Sequence, residues 1–127
     1  MSDVIQAALD ARLRAHAPYS HFLVGAALEA DDGRIFTGCN IENSTFGLTL
    51  CAERVAVFKA VSEGVRNFRR IAVAADTVNL TTPCGACRQI LWEFCRDIEL
   101  VLVNLQGRTE TLHMKDLFPR PFDDSCL

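Results

Sequence analysis

The sequence predicts an α/β fold in three α/β/α layers, with a mixed five-stranded sheet, element order αββαβαββ and a short helix at the C-terminal end. Three observations predict it. Apolar residues switch along the chain between helical spacing and short strand-like runs. The first two strand-like runs are joined by the tight turn Asp32-Gly33, and the last two by only Leu105-Gln106-Gly107, which is too short for a parallel crossover. Helical stretches separate the middle strands, so helices are expected on both faces of the sheet. At 127 residues the chain fits a single domain, 1–127.

The elements follow in order. Ser2 is placed to cap a first helix in which Val4, Ile5, Ala8, Leu9 and Leu13 recur at helical spacing, ending before Pro18. Residues 22–30 and 34–39 read as antiparallel strands. Residues 40–49 are polar and rich in turn formers, and a second helix runs from about Cys51 to Gly64. Its apolar residues, from Ala52 to Val61, lie nearly all round, which predicts a buried helix. Residues 71–75 form a short apolar strand, and a loop ends at Pro83, a residue suited to opening a helix. In that third helix Cys87, Ile90, Leu91 and Phe94 share one face. Residues 98–104 and 108–114 are the last two strands, and a helical turn follows near Lys115.

Composition narrows the function. Half the residues are hydrophobic and 23% are charged, the balance of a folded globular protein. The net charge is −3, and the densest basic cluster is Arg66, Arg69 and Arg70, so a polynucleotide partner is not expected. No run of about 18 apolar residues is present, and the N-terminus lacks an apolar signal core, so no membrane partner and a cytoplasmic location are expected. In a reducing compartment the six cysteines point to metal binding or catalysis rather than to a disulfide framework. A domain of this size closes only a limited pocket, which makes self-association around a shared site a natural expectation.

Chemistry concentrates at two helix starts. Pro83-Cys84-Gly85-Ala86-Cys87 sets two thiols three residues apart, so both reach one side of the helix. The helix N-terminus favours thiolates. By itself such a pair is equally a metal site, a redox dithiol or an incidental pair. Cys51, at the start of the other helix, supplies a third thiol, and three protein ligands around zinc leave one tetrahedral position for water, as in catalytic zinc sites. Cys39, Cys95 and Cys126 are the residues that could close such a site with a fourth sulfur. Glu53, two residues past Cys51, is placed either to favour the helix dipole or to relay protons beside an activated water. Three thiolates on a divalent cation carry a net negative charge. Arg54 is therefore expected to donate to the cysteine sulfurs, its alternative being an ordinary salt bridge.

These motifs resemble those of the zinc-dependent nucleoside deaminases, including the all-cysteine form of their signature. More narrowly, Ala17-Pro18-Tyr19-Ser20, Phe22, Val24-Gly25-Ala26-Ala27, Gly38-Cys39-Asn40-Ile41-Glu42-Asn43, Cys51-Ala52-Glu53-Arg54 and Pro83-Cys84-Gly85-Ala86-Cys87-Arg88-Gln89 are similar to the small homotetrameric cytidine deaminases over nearly the whole chain. The resemblance implies a zinc ion on Cys51, Cys84 and Cys87 and proton transfer by Glu53. It also implies hydrolytic conversion of cytidine and deoxycytidine to the uridine nucleosides, with ammonia released. Asn40 and Glu42 would bind the ribose hydroxyls, Phe22 would pack near the base, and the backbone around Ala52 and Cys84 would hold the ring's polar edge. Phe122 would reach across a subunit boundary to stack on the pyrimidine of a neighbour, within a homotetramer that shares its active sites.

Two positions depart from the pattern. Phe46 stands where family members often carry tyrosine, and Arg120-Pro121 precedes Phe122 ahead of a short acidic tail. Both bear on substrate range. The competing readings are a zinc deaminase or amidohydrolase of modified cytosine nucleosides, such as an N-acylated cytidine or a cytosine antibiotic, a structural zinc module, and a thioredoxin-like dithiol protein.

Overall fold

In a computed structural model that describes residues 2–127, these elements assemble into a five-stranded sheet with helices against both faces. The first helix, α1, is Ser2–Arg12. It stops well short of Pro18, so Leu13 lies past its end and is exposed. Ser2 is already helical, and the expected capping by its side chain lies outside the described residues. Strand β1, Val24–Ala30, turns at Gly33 (φ 93°) into β2, Ile35–Cys39. A 3-10 turn at Phe46–Leu48 leads to α2, Ala52–Ser62, after which Gly64 (φ 88°) redirects the chain. Strand β3 is Phe68–Ala75, α3 is Gly85–Cys95, β4 is Glu99–Val103 and β5 is Thr109–His113. A one-turn helix α4, Met114–Leu117, and a 3-10 turn at Asp124–Cys126 finish the chain.

The strand order is β2-β1-β3-β4-β5, with β3 and β4 parallel and every other pair antiparallel. The parallel pair needs a crossover, and α3 supplies it. Side chains alternate across a strand, so the three central strands feed two cores at once. Leu28, Ile71, Val73, Leu100 and Leu102 point toward α2 and α3, while Ala27, Ala72, Ala74, Val101 and Val103 meet Val4 and Ala8 of α1. Small residues dominate the α1 side, which lets that helix lie close to the sheet.

Two expectations shift for physical reasons. Strand β3 begins at Phe68, ahead of its apolar run, because Arg70 is paired in register with Glu29 of β1 and Glu99 of β4. Its guanidinium lies 2.7 Å from Glu29 and 3.4 Å from Glu99. Helix α2 buries Ala52, Glu53, Ala56, Val57 and Ala60, but Phe58 is 39% exposed and meets Phe94 of α3 edge-on. It is therefore a one-faced helix, since the sheet covers only one side of it. The basic cluster is also spent inside the fold: Arg69 and Arg70 pair with Glu29, and Arg66 donates to the carbonyls of Val61 and Val65.

Candidate active site

Two helix starts converge, and both begin on a cysteine. Cys51 and Cys84 occupy the N-cap positions of α2 and α3 in extended backbone conformations, and neither side chain bonds to its own helix. A serine or aspartate there would turn its oxygen onto the helix amides. The thiols instead remain available outward. Pro83 thus precedes the cap rather than opening the helix, and Cys87 lies one turn into α3, fully buried.

The three sulfurs lie within 4.8 Å of one another, and those of Cys51 and Cys84 are 4.0 Å apart. Four-coordinate zinc with bonds of about 2.3 Å spaces its sulfur ligands ~3.8 Å apart, so the cluster fits that ion. Cys39, Cys95 and Cys126 stand outside the cluster, which leaves a three-thiol donor set among the described residues. Arg54 donates to Cys51 Sγ at 3.2 Å and reaches the carbonyl of Thr49 at 3.5 Å. Its buried Nε has no hydrogen-bond partner among the described residues. Hydrogen bonding from Cys87, reinforced by Arg54, holds the Cys51 thiol down to about 5, so an anionic sulfur is favoured there. Cys87 is pushed the other way, by its hydrogen bond with Cys51 and then by burial.

Glu53 is 5% exposed. Burial, with the neighbouring Cys51 adding to it, pushes its carboxyl up to about 7. That value suits a group that both accepts and returns a proton near neutral pH. Glu53 lines a cavity of about 180 Å³ together with Phe22, Asn40, Ala52, Cys51 and Cys84. Its lining combines the thiols of Cys51 and Cys84 and the Glu53 carboxyl with the apolar side chains of Phe22 and Val24.

Asn40 follows β2 and has two attachments: Val24 N donates to its Oδ1 at 2.9 Å, and its Nδ2 donates to the Phe22 carbonyl at 2.7 Å. It therefore ties the start of β1 in place while keeping one amide proton spare. Glu42 lies in an adjoining cavity of about 370 Å³, lined also by Tyr19, Ser20, Phe46 and Thr49. Thr49 borders both cavities. Phe46 is exposed and meets Tyr19 edge-on at 5.8 Å.

Phe122 is not brought into either cavity. It is 58% exposed on a tail laid along α3, where Gln89 donates to its carbonyl and Trp92 Nε1 donates to Asp123 at 2.8 Å. Sequence reading missed Thr49, Thr81 and Thr82 as lining residues. The one available signal was that Thr81-Thr82 immediately precedes Pro83-Cys84. In the sequence Ser20 and Tyr19 stand out only as part of a motif, although both touch Glu42.

Residues 1–104 match the cytidine and deoxycytidylate deaminase zinc-binding region. A cytidine deaminase of Sporosarcina psychrophila is 52% identical over 118 residues, covering 92% of this chain and 87% of that one. A cytidine deaminase of Halalkalibacterium halodurans is 50% identical over 120 residues, covering 94% and 91%. The crystal structure of cytidine deaminase from Burkholderia pseudomallei aligns with a TM-score of 0.93 at 47% identity, over 95% of this chain and 98% of that one.

Proposed function

The chain belongs to the family of cytidine and deoxycytidylate deaminases, and on that premise we propose that it hydrolyses free cytidine and deoxycytidine to the uridine nucleosides and ammonia. The observation that carries the proposal is a buried carboxyl, Glu53, facing the same cavity as the thiols of Cys51 and Cys84. Zinc held by Cys51, Cys84 and Cys87 supplies, when bound, a Lewis acid that activates water at neutral pH. Glu53 takes a proton from the attacking water and delivers it to the ring nitrogen, then takes the second proton from the oxygen now bonded to the adjacent carbon and passes it to the amine, which leaves as ammonia. One water is consumed for each ammonia released. Arg54 offsets the charge of the thiolates through Cys51.

Phe22 and the backbone at Ala52 and Cys84 hold the pyrimidine, and Asn40 and Glu42 take the sugar hydroxyls. A carboxylate and an amide at the sugar end favour a free nucleoside over a phosphorylated one, because Glu42 would repel a phosphate placed beside it. The protein is proposed to act in the cytoplasm as a homotetramer. Self-association is supported by apolar surface: Tyr19, Phe46 and Leu48 are 51%, 72% and 64% exposed, and Phe122 is displayed outward rather than folded into its own chain's site. No described helix is long and apolar enough to cross a membrane.

The test is loss of the cytosine ultraviolet band when zinc-replete protein meets cytidine, repeated with a chelator and with Glu53→Gln. Cytidine should be consumed by the parent alone. Glu53→Gln should keep its zinc and lose at least ~10³-fold in kcat, in line with removal of a proton-transfer group. Absence of turnover in the zinc-replete parent, or ordinary turnover in the glutamine variant, contradicts the reading.

A further inference from the structure

Residues 17–22 fold into a cup around the Glu42 carboxylate. The backbone amides of Tyr19 and Ser20 donate to its Oε1 at 2.9 and 3.1 Å, and the Ser20 hydroxyl donates to Oε2. The cup closes because His21 adopts a left-handed conformation (φ 58°) and donates its amide to the Ala17 carbonyl at 2.9 Å. Such a conformation is unfavourable for a non-glycine residue, so it persists only where the surrounding bonds hold it.

The serine hydroxyl has one proton and therefore one direction in which to donate. Phe22 N donates to Ser20 Oγ at 3.1 Å, which commits the oxygen as an acceptor on that side and leaves its proton for Glu42. A carboxylate offers about four acceptor positions, and three are occupied by this loop. The remaining one belongs to a group that borders the cavity beside Phe46 and Thr49.

We propose that Ser20 is a positioning residue for sugar recognition: its hydroxyl fixes the Glu42 carboxylate so that the free acceptor position meets the nucleoside's hydroxyls. The proposal rests on the reading that Glu42 binds the sugar. Phe22 keeps a tether of its own, its carbonyl accepting from Asn40 Nδ2 at 2.7 Å, so loss of the Ser20 hydroxyl loosens Glu42 rather than the group assigned to the base. The hydrogen bonds keep Glu42 below the usual carboxylate range, the Ser20 hydroxyl being the largest contributor. The carboxylate is thus an acceptor at neutral pH.

The experiment compares the parent, Ser20→Ala and Ser20→Thr on cytidine and on 2′,3′-dideoxycytidine, whose sugar lacks both ring hydroxyls. Dideoxycytidine is also measured as a competitive inhibitor of cytidine turnover, so that its affinity is read even where its own turnover is slow. Ser20→Ala is expected to raise KM for cytidine about tenfold while kcat and the inhibition constant of dideoxycytidine stay within about twofold. Ser20→Thr, which keeps the hydroxyl, should recover most of the loss. Equal weakening of both nucleosides, weakening of neither, or a threonine variant no better than alanine overturns the proposal. Glu42→Gln separates the two ways of failing. If it weakens cytidine and dideoxycytidine alike, Glu42 does not read the sugar. If it is selective for cytidine while Ser20→Ala is indifferent, only the role of Ser20 falls. Should Ser20→Ala not fold, Ser20→Cys keeps the size with a weaker donor, and the same cytidine-selective rise in KM is expected.

Discussion

Replacing Gly38 with alanine tests whether the close approach of α2 to β2 sets the active-site geometry. A Cβ at position 38 would lie 2.3 Å from the Ala52 carbonyl oxygen and 2.6 Å from the Ala56 amide, two atoms of the first turn of α2. Ordinary contact begins at 3.4 Å, so that turn must retreat by about 1 Å. The turn carries Glu53 and Arg54 and starts from Cys51, whereas Cys84 and Cys87 belong to α3 and have no reason to follow. A misplacement of about 1 Å can cost ~10²-fold in rate, and overpacking of this kind costs about 1–3 kcal/mol in stability. At about 4 °C for each kcal/mol, Tm should fall by roughly 4–12 °C. Gly25 provides the control. A Cβ there would lie 2.1 Å from the Ala8 carbonyl oxygen and 2.4 Å from the Arg12 amide, so the clash is at least as severe but displaces α1 on the opposite face. Both variants should lose stability, and Gly38→Ala alone should lose kcat and bound zinc, measured as cytidine consumption at saturation and as metal content. Equal kcat losses in the two variants, or a Gly38→Ala enzyme within about twofold of the parent, would refute the reasoning.

Thiol labelling should separate the cysteines by environment. Burial pushes Cys95 up to about 12. A raised thiol ionises only as pH climbs through that value, so at pH 8 about one in ten thousand is thiolate and alkylation should spare it. Exposed Cys126 should react at once, and Cys51 and Cys84 should become reactive only after a chelator is added. Mass spectrometry that finds Cys95 labelled as fast as Cys126 would contradict the half-buried placement. The tail offers a further check. If Phe122 serves a neighbouring subunit, Phe122→Ala should lower kcat/KM about fivefold or more, the worth of an aromatic stack, with zinc content unchanged. Asp123→Ala, which frees the tail from Trp92 and Arg96, should reproduce part of that loss. Two variants with parental kcat/KM would remove the tail from the mechanism.

The sequence by itself determined the element order, the antiparallel hairpins at both ends and the grouping of Cys51, Glu53, Cys84 and Cys87 at helix starts. Each depends on spacing between neighbours in the chain, where the helical and strand repeats dictate which side chains share a face. The fold decided what depends on residues far apart. Helix periodicity could not show that α2 would be covered on only one side, because that coverage comes from the sheet. Nor could it show that β3 would extend back to Phe68, because that extension rests on Glu29 and Glu99 of other strands meeting Arg70. At the site, the sequence directs Arg54 toward the cysteine sulfurs, and the fold selects Cys51. The resemblance assigns Asn40 to the sugar hydroxyls, and only the folded chain shows it also holding Phe22 and Val24, 18 and 16 residues away. The cup of Tyr19 and Ser20 around Glu42 is of the same kind. It joins residues more than twenty positions apart, and a hydrogen bond of that span exists only once β1 and β2 have paired and brought the two loops side by side.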